Sequence, residues 1–179
     1  SDRKSVEGAV VLASRSEVSR GDWERYRDAP NVIWILGGDR NPRNQADVDI
    51  WLAMGLGIIE GIGTHPDPLI SYHPQPSTTS SSSPWFHSQA WFDFNMLQTG
   101  HCRDVKVWEK IAHDYNLTPT KPVVNGEPIY EDHPVCFNAK ELGHSNAYDI
   151  RKATYLSVFA GAAGHTYGHN SVMQMHKPT

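Results

Sequence analysis

The sequence predicts an α/β fold of the (β/α)-barrel type, and three observations carry that expectation. Short apolar runs alternate with amphipathic stretches five or six times, with short connections between them, which is the signature of βαβ units. The strongest run, Val32–Leu36 (VIWIL), is continuous rather than alternating, as a strand buried on both faces of a parallel sheet would be. Polar and aromatic residues gather after the apolar runs, and barrels of this type build their sites from the loops that follow the strands.

Taken in order, Ser1–Lys4 is polar, and the compact apolar run within Val6–Ala13 reads as a first strand. Ser19 or Asp22 caps a helix carrying Trp23 and Tyr26, which ends at Asp28-Ala29-Pro30 because the residue before proline is pushed out of the α region. After the strand Val32–Leu36, Asp47–Glu60 has helical spacing, with Val48, Trp51, Leu52, Gly55, Ile58 and Ile59 near one face. Leu69–His73 is a short strand. Ser77–Ser83 is low in complexity and reads as a mobile loop. Trp91–Leu97 reads as a strand, Arg103–Tyr115 as a helix, Lys121–Val124 as a strand and Asp149–Ala162 as a helix. Gly164–His169 closes the alternation with a last strand and loop.

Two strand ends carry acids. Pro122–His133 (PVVNGEPIYEDH) begins as an apolar strand, breaks at Asn125-Gly126 and presents Glu127; Asn31–Pro42 (NVIWILGGDRNP) runs into Gly37-Gly38 and delivers Asp39. A carboxylate at the end of a strand is held by a rigid element yet opens on the loop side, where α/β folds place their chemistry. Two carboxylates of different protonation state can divide a bond cleavage between them, one protonating the leaving oxygen and the other attacking or activating water. On this reading Asp39 is the acid/base and Glu127 the nucleophile or stabiliser, with Arg40, Asn41 and Asn125 as hydrogen-bond donors beside them.

Composition limits the alternatives. The chain has 179 residues, 39% hydrophobic and 20% charged with six Trp, which fits one globular domain over 1–179. A chain this long buries roughly 70% of its unfolded surface and needs no staples. The net charge is −4 and no basic run occurs, so the footprint of a nucleic-acid binder is missing. No apolar run reaches membrane-spanning length. Cys102 and Cys136 are too few for a disulfide framework and leave open whether they pair. The chain opens at Ser1 with neither Met nor a leader-like stretch, as a processed or trimmed chain would.

The motifs NVIWILGGDRNP, SYHP with the serine cluster and Trp85-Phe86-His87, DFNMLQTGH, KPVVNGEPIYEDHP and DIRKATYLSVFAGAAGHTYGHNSVMQM occur in this order. Together, over roughly Trp23 to Met175, they resemble the apiosidase-like glycoside hydrolase family of (β/α)8-barrel enzymes. The resemblance implies hydrolysis of glycosidic bonds in plant cell-wall pectin side chains, with Asp39 matching the acid of the fourth strand and Glu127 its partner on the seventh. The matching motifs are those of strands 4 to 8, and Val6–Ala13 stands in for strand 3. A complete barrel needs at least about 200 residues, so the implied fold is a shortened barrel of strands equivalent to about 3–8. Its open sheet edges are covered by a second copy, as in a homodimer, or else the chain is a fragment. Met173 stands where the family pattern would have a Trp, which weakens a stacking platform there. A polysaccharide substrate implies a secreted or periplasmic protein.

Aromatic rings that pack on sugar faces and polar groups that fix hydroxyls suit a glycan cleft. The candidates around the two acids are His73, Trp85, His87, Gln98, His101, Tyr130, Glu131, His165, Tyr167, His169 and Asn170. Trp34, Trp51 and Trp108 fall in periodic apolar segments and read as core, His113 and His144 as solvated, and Tyr155 and Phe159 as packing. Two other readings compete. A shortened barrel could bind glycans without cleaving them, and His165 and His169, joined by His101, His133 or His176, could hold a catalytic metal. Gly164 and Gly168 make their segment extended or looped, which works against the four-residue spacing of a metal-binding helix face, and no cofactor is expected.

Overall fold

A computed structural model describes residues 9–13 (backbone only), 26–62 and 68–175. Among these residues six strands and the helices between them run in the order β1 Ala9–Ala13, β2 Val32–Leu36, α1 Gln45–Ile62, β3 Leu69–Tyr72, α2 Ser83–Phe86, β4 Asn95–Gln98, α3 Val107–Tyr115, β5 Val123–Glu127, α4 Ala139–Leu142, α5 Ala147–Phe159, β6 Gly164–His165 and α6 Asn170–Met173. Every ladder between them is parallel, in two three-stranded sheets ordered β1-β2-β3 and β4-β5-β6. The expected helix near Ser19 or Asp22 lies outside the described residues except for the helical Tyr26, and so does Val6–Gly8 of the first strand.

Local chemistry explains the helix starts. Asn44 accepts from Asp47 N at 3.0 Å at the head of α1, and Asn146 with Asp149 forms a capping box on α5. The main core is aromatic, with Trp34, Tyr72, Phe86, Trp91 and Phe92 against Leu36, Ile58 and Ile70. α1 approaches this core through Gly55, where a Cβ would stand 2.5 Å from the Trp91 ring. Leu97, Val107, Ile111 and Val123 form a second cluster between α3 and the other sheet.

Between the sheets β3 and the approach to β4 are not joined by a ladder. The seam is stitched instead by Ile70 N to Asp93 Oδ2 at 2.6 Å, Asp93 N to the Ile70 carbonyl at 2.9 Å, and Ser71 Oγ to the Phe94 carbonyl at 2.7 Å.

Four expectations change. The strand expected at Trp91–Leu97 is Asn95–Gln98, because Trp91 and Phe92 turn into the aromatic core one after the other and so mimic a buried strand. The serine cluster is fixed rather than mobile: Ser80–Ser83 are buried, the Ser81 and Ser83 hydroxyls donate to the fully buried Asp114 carboxylate, and Lys110 Nζ donates to the Ser77 carbonyl at 3.1 Å. Trp108 is 41% exposed on α3, unlike Trp34 and Trp51. Tyr155 and Phe159 stack on one another on the outer face of α5, 60% and 84% exposed, so helical spacing placed them together but not against the core. Cys102 and Cys136, left open by the sequence, form a disulfide across 34 residues; closing a loop of that length removes about 3–4 kcal/mol of unfolded-chain entropy. Among the described residues no helix is long and apolar enough to cross a membrane.

Candidate active site

β2 leaves the sheet through three successive left-handed residues, Gly37 (φ 93°), Gly38 (φ 69°) and Asp39 (φ 60°). Gly37 is required on two counts, since a Cβ there would also meet the His73 carbonyl oxygen at 2.5 Å. Asp tolerates this region better than most side chains, though at a cost on the order of 1–3 kcal/mol. The turn projects Asp39 outward, exposed, into the same open cleft that Glu127 lines, a cleft of about 1130 Å³.

Glu127 is the last residue of β5, and its side chain is 16% exposed. One carboxylate oxygen lies 2.9 Å from His73 Nε2 and the other 3.3 Å from His101 Nε2. Burial pushes its carboxyl up, but hydrogen bonds from His101 and His73, the His73 charge and Gln98 outweigh it and hold Glu127 well below the ordinary carboxylate range. His73 follows the same logic in reverse. Burial works against its charged form, and the Glu127 contact prevails and raises it. Burial first, and then the Glu127 carboxylate, raise the Tyr130 phenol. The Asp39 charge acts on both His73 and Tyr130, so the two acids bear on the same pair of side chains.

From these acids the cleft runs past Gln98, His101, His133 and Phe137 to a wall made by the Gln75–Ser80 segment and α3. His133 stacks on His101 with ring centres 4.3 Å apart, and burial, with His101 beside it, lowers its pKa. Its Nδ1 faces the Pro134 carbonyl at 2.8 Å. Gln98 Oε1 and His101 Nδ1 are buried and have no hydrogen-bond partner among the described residues.

The structure therefore brings together Asp39, Glu127, His73, Gln98, His101 and Tyr130. The other sequence candidates stand elsewhere. Arg40 is exposed, and its carbonyl accepts from the Tyr72 hydroxyl at 2.6 Å. The Asn41 side chain ties down the Gln75 backbone, accepting at 2.9 Å, and Asn125 is buried on Thr99 and Ser157. The donors on Glu127 are thus His101, His73, Gln98 and Tyr130 rather than these two amides. Trp85 packs on Tyr72 and Phe86, and His87 sits buried on Asn95. Glu131 accepts from the Tyr167 hydroxyl at 2.7 Å, His165 Nδ1 meets Ser157 Oγ at 3.3 Å with its pKa lowered by burial, His169 caps α6, and Asn170 begins it.

Among the site candidates of the sequence reading His133 entered only as a metal ligand, and Phe137 not at all. Among the described residues, the one group of three with ligand atoms close enough for an ion is Cys102, Asp104 and Cys136, and its two sulfurs are bonded to each other. The donor set for a histidine metal centre is not gathered here, and His176 lies outside the described residues.

Residues 20–179 match the family described as apiosidase-like, catalytic domain. The chain belongs to the apiosidase-like family. No protein of curated function matches it. Among solved structures, this apiosidase-like chain is similar to a glycoside hydrolase family 5 protein from Bacteroides vulgatus ATCC 8482, at 36% identity and TM-score 0.78 over 89% of this chain and 36% of that one. A second structure, described as a glycoside hydrolase, matches at 37% identity and TM-score 0.77 over 89% of this chain and 38% of its own. The apiosidase-like chain thus spans little more than a third of the length of either. Its parallel α/β fold overlays on that portion of each, as a shortened barrel does.

Proposed function

We propose that the chain hydrolyses plant cell-wall or pectic glycans with two carboxylates, Asp39 as acid/base and Glu127 as nucleophile or stabiliser, in a secreted or periplasmic setting. The observation that carries this reading is the Glu127 carboxylate, kept ionised by His73 and His101 inside a cleft it shares with Asp39. Asp39 protonates the leaving oxygen as the C1–O bond breaks, and the bonding electrons leave with that oxygen. Glu127 meets the positive charge growing at C1, and water completes the cleavage. A carboxylate separation of about 5–5.5 Å makes Glu127 the attacking group with retention; about 6.5–9.5 Å leaves room for water and gives inversion. The Cys102–Cys136 bridge favours an oxidising compartment.

The test is hydrolysis of a panel of plant cell-wall glycans and aryl glycosides by the parent, Asp39→Asn and Glu127→Gln. Asp39→Asn is expected to lose about 10²–10⁴-fold in kcat, the worth of a general acid, and Glu127→Gln at least as much. Normal turnover by either variant removes that residue from the mechanism. Binding by the parent without turnover identifies a glycan-binding module.

A further inference from the structure

Phe137 takes no part in the proposed chemistry, yet it lines the cleft beside the Glu127 histidines with 76% of its surface exposed. An exposed phenylalanine alone is ordinary. This one differs in its backbone and in its neighbours. Cys136 and Phe137 are both left-handed, φ 51° and 61°, a conformation that non-glycine residues keep only where the surroundings impose it. The imposing contacts lead back to the site. Cys136 is bonded to Cys102, the residue after His101, and Cys136 N donates to the His101 carbonyl at 2.9 Å.

The ring itself is positioned by the same residues. It stands edge to face against His133, with centres 4.9 Å apart at 88°, and against His101 at 5.5 Å and 82°. His101 in turn donates to Glu127. Phe137 is therefore fixed relative to the reacting carboxylate through one intervening ring, lines the cleft, and keeps most of its own surface exposed.

We propose that Phe137 is a sugar-stacking platform at the mouth of this cleft, held in register with Glu127 by the Cys102–Cys136 bridge. This rests on the glycan reading above and adds a binding contact to it. The C–H face of a pyranose or furanose ring is apolar and covers an aromatic ring well, removing apolar surface from water on both partners.

The experiment follows cleavage of oligosaccharides released from pectin, together with calorimetric binding of the same oligosaccharides to the inactive Glu127→Gln chain. Phe137→Ala raises KM about tenfold with kcat within about twofold, the pattern of lost uniform binding, and weakens calorimetric binding by a similar factor. Phe137→Trp restores both. Cys102→Ser/Cys136→Ser raises KM in the parent but adds nothing in the Phe137→Ala background, because the bridge acts through the ring. Cleavage by the parent with KM unchanged in Phe137→Ala overturns the platform alone. A further rise in KM on removing the bridge from Phe137→Ala overturns the part assigned to the bridge. A parent that neither cleaves nor binds these oligosaccharides overturns the platform and the pectic reading together.

Discussion

His73 Nε2 lies 2.9 Å from Glu127 Oε2 while His73 Nδ1 faces the Pro74 carbonyl at 3.0 Å, so both ring nitrogens meet acceptors. A neutral imidazole has one N–H and serves one acceptor. The pair therefore holds a proton that neither group would keep alone, which explains why His73 is raised and Glu127 lowered.

That shared proton sets a pH window. Glu127, lowered from 4.5, contributes stability that is present above that value and lost as pH falls through its folded pKa. His73, raised from 6.5, contributes stability that is complete below that value and lost as pH rises through its folded pKa. The advantage of the parent over Glu127→Gln in urea midpoints is expected to be widest between pH 4.5 and 6.5 and to narrow on both sides. A gap that stays constant with pH contradicts the pairing.

Asp114 anchors the cleft wall from the other side. Asp114→Ala removes the acceptor of the buried Ser81 and Ser83 hydroxyls, at about 1–3 kcal/mol for each O–H left unsatisfied. Urea denaturation measures the loss. Limited proteolysis is expected to cut within Ser77–Ser83 in the variant and not in the parent.

Two glycine substitutions separate backbone freedom from mere small size. Gly37→Ala places a Cβ 2.5 Å from the His73 carbonyl on a left-handed backbone, so it is expected to destabilise by more than about 1 kcal/mol and to lower kcat by shifting His73. Gly57→Ala, in the middle of α1 with nothing within 4 Å of its new Cβ, is expected to stabilise by about 0.5–1 kcal/mol. Thermal melts of the two variants give opposite signs.

The parts of the fold that obey a period were readable in advance. Continuous apolar runs gave β2 and the start of β5; the Gly break after β2 placed Asp39, whereas β5 runs on through the expected break at Asn125-Gly126, with a register shift, and ends at Glu127. His73, just past β3, followed from the same pattern. Trp91 and Phe92 defeated it because two consecutive aromatics entering a core look like a strand buried on both faces. The serine segment looked mobile because its order comes from Asp114, 31 and 33 residues away. His133 and Phe137 reach the cleft through left-handed turns and a disulfide, which leave no spacing signal. Asn41 and Asn125 sit beside the acids in sequence, but their amides are satisfied by Gln75, Thr99 and Ser157.

Asp39 leaves the first sheet and Glu127 the second, so no ladder of backbone hydrogen bonds fixes the gap between them. That gap is governed by the stitches of Asp93 and Ser71 and by His73 reaching across to Glu127. The two stereochemical outcomes of glycoside cleavage differ by only about 1–4.5 Å in carboxylate spacing. The seam, rather than a strand ladder, therefore holds the spacing on which the stereochemical outcome turns.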